Sequence, residues 1–99
     1  MKLADFELLE TETPKGVQAI LDFGKYHLSI VQSEFSYGGT QGRYEIGAFA
    51  ASDGVASDMV ELPGITNSGD TVKGWLTESD VDAIISKMYF LTGTKPRQI

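Results

Sequence analysis

Residues 74–93, GWLTESDVDAIISKMYFLTG, spell out one amphipathic helix with both of its ends, and no other stretch limits the fold as much. Thr77 is placed as an N-cap, its hydroxyl free to accept from the otherwise unpaired amide of Asp80. Leu76 and Val81 fall at the two positions of a hydrophobic staple. Glu78, Asp80 and Asp82 set negative charge at the positive end of the helix dipole, and Gly93 follows as a left-handed stop. Val81, Ile84, Ile85, Met88 and Leu91 recur at helical spacing, with Tyr89 and Phe90 widening the apolar surface. Such a stripe has to be buried against another element, and the rest of the chain supplies strands.

The clearest strands flank Gly24-Lys25. Val17, Ala19, Leu21 and Phe23 alternate before it, and Tyr26, Leu28 and Ile30 alternate after it. Glycine first in a two-residue loop suits a type II′ turn. That register sets Phe23 opposite Tyr26, Leu21 opposite Leu28 and Ala19 opposite Ile30, so the two apolar faces coincide. Residues 6–12 suit a further short strand before a turn at Thr13-Pro14-Lys15-Gly16. The glycine-rich segment 33–42 reads as a wide loop. After it, Tyr44, Ile46, Ala48 and Ala50 share one face of a strand in which Gly47 marks a bulge or a close backbone approach. Asp53-Gly54 reads as a turn, residues 58–62 as a short strand closed by Pro63-Gly64, and residues 66–71 as a polar turn. Val72–Leu76 is then a last strand leading into the helix. The expected class is α+β: a mostly antiparallel sheet of four or more strands packed against one C-terminal helix. The helix should cover the face built from Leu21, Leu28, Ile30, Tyr44 and Ile46. A curled open sheet and a partly closed barrel both fit. A chain of 99 residues supports one core, so residues 1–99 are expected as one domain, with 93–99 a flexible tail.

Composition removes several functions. With no cysteine there is no thiolate chemistry or disulfide, and with one histidine no multi-histidine metal site. The formal charge of −6 disfavours binding to a phosphate backbone, which relies on cationic contacts. No signal-peptide pattern opens the chain, and no apolar run approaches the ~20 residues of a membrane helix. A soluble protein that binds neither nucleic acid nor membrane is expected.

The residues that carry chemistry do not assemble into a catalytic pattern. His27 reads as an exposed strand histidine, and a triad with Ser29 or Ser33 has little support, Ser29 being two residues along the same strand. Asp22, Glu34 and Glu45 are candidate acid–base carboxylates, but nothing places two of them in one cleft. Glu78, Asp80 and Asp82 depart from the D-x-[DN]-x-[DN]-G calcium loop and read as capping residues. The loop Gly38-Gly39-Thr40-Gln41-Gly42 lacks the Gly-Lys-Ser/Thr ending of a phosphate loop. No catalytic residue, metal ligand or cofactor is therefore expected. Loop aromatics are the remaining clue: Phe35 and Tyr37 beside the glycine loop, with Arg43 and Trp75, are candidates for a protein-interaction surface. Trp75 reads more readily as a core plug at the end of the sheet, while Phe35 and Tyr37 read equally as core plugs or as interface anchors.

Three segments together, FSYGGTQGRYEIGAF, the polar turn before DTVKGWLTESDV, and the helix after it, resemble a pattern in small uncharacterised proteins of tailed bacteriophages. The matching residues are Ser36-Tyr37-Gly38, Tyr44-Glu45-Ile46 and the run from Gly74 to Val81, within a likeness spanning residues 26–92. The resemblance brings no activity with it. It implies a virus-encoded protein acting in the cytoplasm of a bacterial host, or carried in the virion. The expected function is a non-enzymatic interaction protein that binds a host or viral protein. The alternative is a structural role, as a minor virion component or a homo-oligomer paired through the small-residue strand GAFAAS.

Overall fold

The computed structural model describes all residues, Met1–Ile99. Seven strands form one sheet: β1 (Leu9–Glu12), β2 (Lys15–Asp22), β3 (Tyr26–Ser33), β4 (Tyr44–Ser52), β5 (Val55–Met59), β6 (Val72–Leu76) and β7 (Arg97–Gln98). One helix, α1 (Glu78–Thr92), precedes β7. The main path runs β1-β2-β3-β4-β5, all antiparallel. Both flanks are shared. β1 pairs with the first half of β2 and β7 with its end, while β5 pairs with the second half of β4 and β6 with its first half. The sheet is open, with no pairing between its two flanks.

The central hairpin has the register that its apolar alternation requires. Ala19 pairs with Ile30 and Leu21 with Leu28, and the Phe23 amide donates to the Tyr26 carbonyl at 2.9 Å. The turn differs from a type II′ loop. Lys25 N–H donates to the Phe23 carbonyl at 3.2 Å, a three-residue γ-turn centred on Gly24 at φ +85°. The Asp22 carboxylate reinforces it by accepting from Gly24 N–H at 2.7 Å.

The helix has the ends that its sequence specifies. Asp80 N–H donates to Thr77 Oγ1 at 3.0 Å, and Thr77 N–H donates to Asp80 Oδ2 at 2.9 Å, a reciprocal capping box. Gly93 N–H closes the far end on the Tyr89 carbonyl. Val81, Ile84, Ile85 and Met88 are buried against Leu21, Leu28, Ile30, Ile46 and Ala48, with Tyr44 packed at the margin. Burying each aliphatic side chain contributes about 1.5–3 kcal/mol, so this helix–sheet layer is the main source of stability. Leu91 belongs to the helical repeat but is exposed, because the core ends one turn earlier, at Met88.

Several boundaries move. Residues 6–12 are not one strand: Leu3–Asp5 form a 3₁₀ turn, Phe6 and Leu8 pack on the core, and pairing starts at Leu9. Leu3 is itself buried, its amide held by Asp82 Oδ1 at 2.7 Å, so Asp82 ties the N-terminus to the helix. The β1–β2 connection is only Thr13-Pro14, joined by a cis peptide, and Lys15 and Gly16 already belong to β2. The strand expected over 58–62 lies earlier, at Val55–Met59, because Asp53 and Gly54 both take positive φ and turn the chain straight back. The strand GAFAAS is internal, paired on both sides, and offers no free edge. Residues 93–99, expected as a flexible tail, carry β7. β1 covers only Lys15–Gln18 of its neighbour, and β7 takes up Leu21 and Asp22. The Gln98 side-chain amide also brackets the backbone of Glu7 on both its N–H and C=O.

Candidate protein-interaction site

Tyr37, Arg43 and Trp75 come together at the end of the sheet beside the start of the helix. A bulge in β6 builds this site. Tyr44 pairs with Leu76 and Ile46 with Lys73, so Gly74 and Trp75 both lie opposite Glu45. The extra residue lets Leu76 keep its inward position (5% exposed) while Trp75 is turned out (61% exposed). Trp75 takes φ +60°, left-handed backbone that costs a bulky residue about 1–2 kcal/mol. Its amide donates to the Tyr37 carbonyl at 3.1 Å, which joins β6 to the glycine loop.

Two glycines make the close packing there. A Cβ on Gly38 would lie 3.0 Å from Trp75 Cε3 and 2.8 Å from Arg43 Cβ, so the indole and the arginine stem both rest on this bare residue. A Cβ on Gly74 would collide with Tyr37 Cβ. The Gly38 carbonyl accepts from both Gln41 and Arg43 amides, which fixes the loop under the aromatic rings. Tyr37 is 61% exposed and Arg43 is also exposed. Trp75 is thus a surface residue and not a core plug. Phe35, 80% exposed, takes no part in these contacts. It projects from a tight turn in which the Ser33 and Ser36 side chains each accept the other's backbone amide.

The charged groups around the site are partly committed. Burial pushes the Glu45 carboxyl up; the Tyr37 backbone amide opposes this and the Asp70 charge adds to it. Burial, then Glu78, raises the Tyr44 phenol. The Asp80 carboxyl is held down by hydrogen bonds from the Thr77 backbone and hydroxyl, and further by the Arg43 and Lys73 cations.

The candidate carboxylates take separate partners. Asp22 is bound to Gly24, Glu34 accepts from the Lys15 amide at 3.4 Å, and Glu45 lies beside the β6 bulge. His27, expected to be exposed, is 3% exposed: it is paired between Asp22 and Phe49 on the second face of the sheet, where Asp22 and Ser29 are also buried. Its Nε2 is 3.5 Å from Asp22 Oδ1 and makes no hydrogen bond, while Arg97 Nη2 approaches the other Asp22 oxygen at 3.6 Å. No three His, Cys, Asp or Glu side chains converge anywhere in the chain. No helix is long and apolar enough to cross a membrane.

Sequence reasoning missed the flank of α1 next to this site. Asp80, Ala83, Lys87 and Phe90 recur at spacings of three and four, offset from the buried stripe, and with Leu91 they line clefts shared with residues 63–65 and 73–76. That second period was the available signal. Comparison with protein-family models, curated proteins and solved structures finds no match to this chain.

Proposed function

We propose that this protein is a non-enzymatic binding module whose contact surface is the Tyr37–Arg43–Trp75 platform, with Phe35 as an outlying anchor. The observation that carries this reading is Trp75 itself. A tryptophan held in left-handed backbone with 61% of its surface in water gains little burial for its strain, and such strain concentrates where a side chain is presented for use. Tyr, Trp and Arg are also the residue types that dominate binding energy at protein interfaces. The resemblance to tailed-bacteriophage proteins supports a bacterial host as the setting, with a host or viral protein as partner.

The test is capture from a bacterial lysate on immobilised protein, run beside a Phe35→Ala/Tyr37→Ala variant. The double variant should keep its melting temperature, because both rings are solvent-exposed, and should lose the captured protein. Equal capture by both would remove this surface from consideration.

A second reading, self-assembly, is favoured by β5. All five of its residues are exposed and its outer edge is unpaired, with Val55 and Met59 exposed along it. Solution mass measured over a range of concentrations separates the two readings.

A further inference from the structure

We infer that the groove between the outer flank of α1 and β6 binds a short, extended, acidic peptide segment with apolar anchors, supplied by the partner protein. This inference rests on the reading of the Trp75 platform as a binding surface and names the chemistry it takes.

The groove begins at Trp75, Lys73 and Asp80 and continues past Gly64 and Lys87 to Phe90 and Leu91. Gly64 and Lys87 line both of its clefts, each of about 350 Å³, so the two adjoin at the Lys87 side chain, over which a bound segment passes from one to the other. Along the helix axis, Asp80 to Leu91 spans roughly 16 Å at 1.5 Å per residue. An extended segment advances about 3.3 Å per residue, so about five residues fill it. Each end carries an aromatic side chain with most of its surface in water, Trp75 at one and Phe90 (92% exposed) at the other.

Charge selects the occupant. The molecule carries a formal −6, yet the groove gathers Lys73 and Lys87, with Arg43 next to Asp80 at its Trp75 end. Asp80, the one acid lining it, keeps its charge in the helix cap and offsets part of this, which leaves two lining cations, Lys73 and Lys87, against one anion. Lys87 stands midway and reaches across to the Gly64 carbonyl at 3.3 Å, which leaves its charge without a carboxylate partner. A locally positive trough on an acidic protein attracts carboxylates and rejects basic chains. Aromatic anchors at both ends with cations between them match a segment whose acids lie between apolar side chains.

The proposal is tested by panning a displayed random heptapeptide library on the intact protein and measuring affinities of the enriched peptides by fluorescence anisotropy. Peptides pairing Asp or Glu with aromatic or aliphatic residues should be enriched. Their binding should weaken at least about fivefold in Lys73→Glu/Lys87→Glu, as expected for two reversed surface charges, and should weaken with added salt. Because Lys73 is half-buried, Lys73→Gln/Lys87→Gln, which keeps the side-chain bulk, should show a smaller loss in the same direction at unchanged melting temperature.

Enrichment of basic or uncharged peptides, or of none, overturns the proposal. If Trp75→Ala abolishes binding while both lysine variants bind normally, the platform binds peptide but this acidic mode is wrong. If Trp75→Ala and the lysine variants all bind like wild type, the platform reading fails as well. A dimer in solution that dissolves in Lys73→Glu/Lys87→Glu, with no peptide enriched, would give the groove to a second copy and overturn the proposal.

Discussion

Trp75 is held in place against its own backbone preference, and its neighbours show how. Left-handed backbone is disfavoured for this residue by about 1–2 kcal/mol, and the opposing forces are the Tyr37 hydrogen bond and the indole resting on Gly38. Substitutions at the two bulge residues should therefore behave oppositely to ordinary expectation. Trp75→Gly relieves the strain and should leave the melting temperature unchanged or raised, despite deleting the largest side chain in the chain. Gly74→Ala, the addition of one methyl group, should destabilise by about 1–3 kcal/mol, because the new Cβ would collide with Tyr37 Cβ. Chemical denaturation of both variants checks the pair. Glu45, opposite the bulge, gives a pH signature. Its carboxyl is raised mainly by burial, so the folded state favours the neutral form. The stability associated with that form is present at acid pH and is lost as pH rises through the raised value. Glu45→Gln should melt higher than wild type at neutral pH, and the gap should close as pH falls below the carboxylate range.

At the scale of elements, the helix and the central hairpin were legible because several local signals agreed. Thr77, the staple and Gly93 mark the same ends that the apolar period requires, and the Gly24-Lys25 loop sets the register that pairs Leu21 with Leu28. Asp80 carries a titration of opposite sign to Glu45. Hydrogen bonds from Thr77 hold its carboxyl down, so its contribution is present above the ordinary aspartate range and is lost as pH falls through the depressed value. Asp80→Asn should lower the melting temperature at neutral pH, by an amount that shrinks in strong acid; a constant difference would contradict the role of the capping box. What the sequence did not disclose lies between elements. The outward turn of Trp75 depends on two residues of β6 facing one of β4, a register that neither strand contains alone. The burial of His27 depends on neighbours brought by two other strands, Asp22 and Phe49, and β7 on the edge that the short β1 leaves open. For the site, residue types singled out Tyr37, Arg43 and Trp75, but the helix flank that extends it was hidden beneath the stronger core period.

At the scale of the molecule, an open sheet leaves two flanks to protect. β1 carries Glu10 and Glu12 and β5 carries Asp58, charges that discourage pairing between copies. With a formal −6 adding repulsion, light scattering should give the mass of one chain across the accessible concentration range. A stable dimer would favour the self-assembly reading. The same openness leaves the Trp75 platform and its adjoining groove free on the surface. The most direct test of the central claim uses the residue whose strain marks the site: capture from bacterial lysate on wild type and on Trp75→Gly, with melting temperatures measured in parallel. Wild type should retain a protein that an equally stable Trp75→Gly does not. Identical captured proteins on both, or none above the bare matrix on wild type, would contradict it.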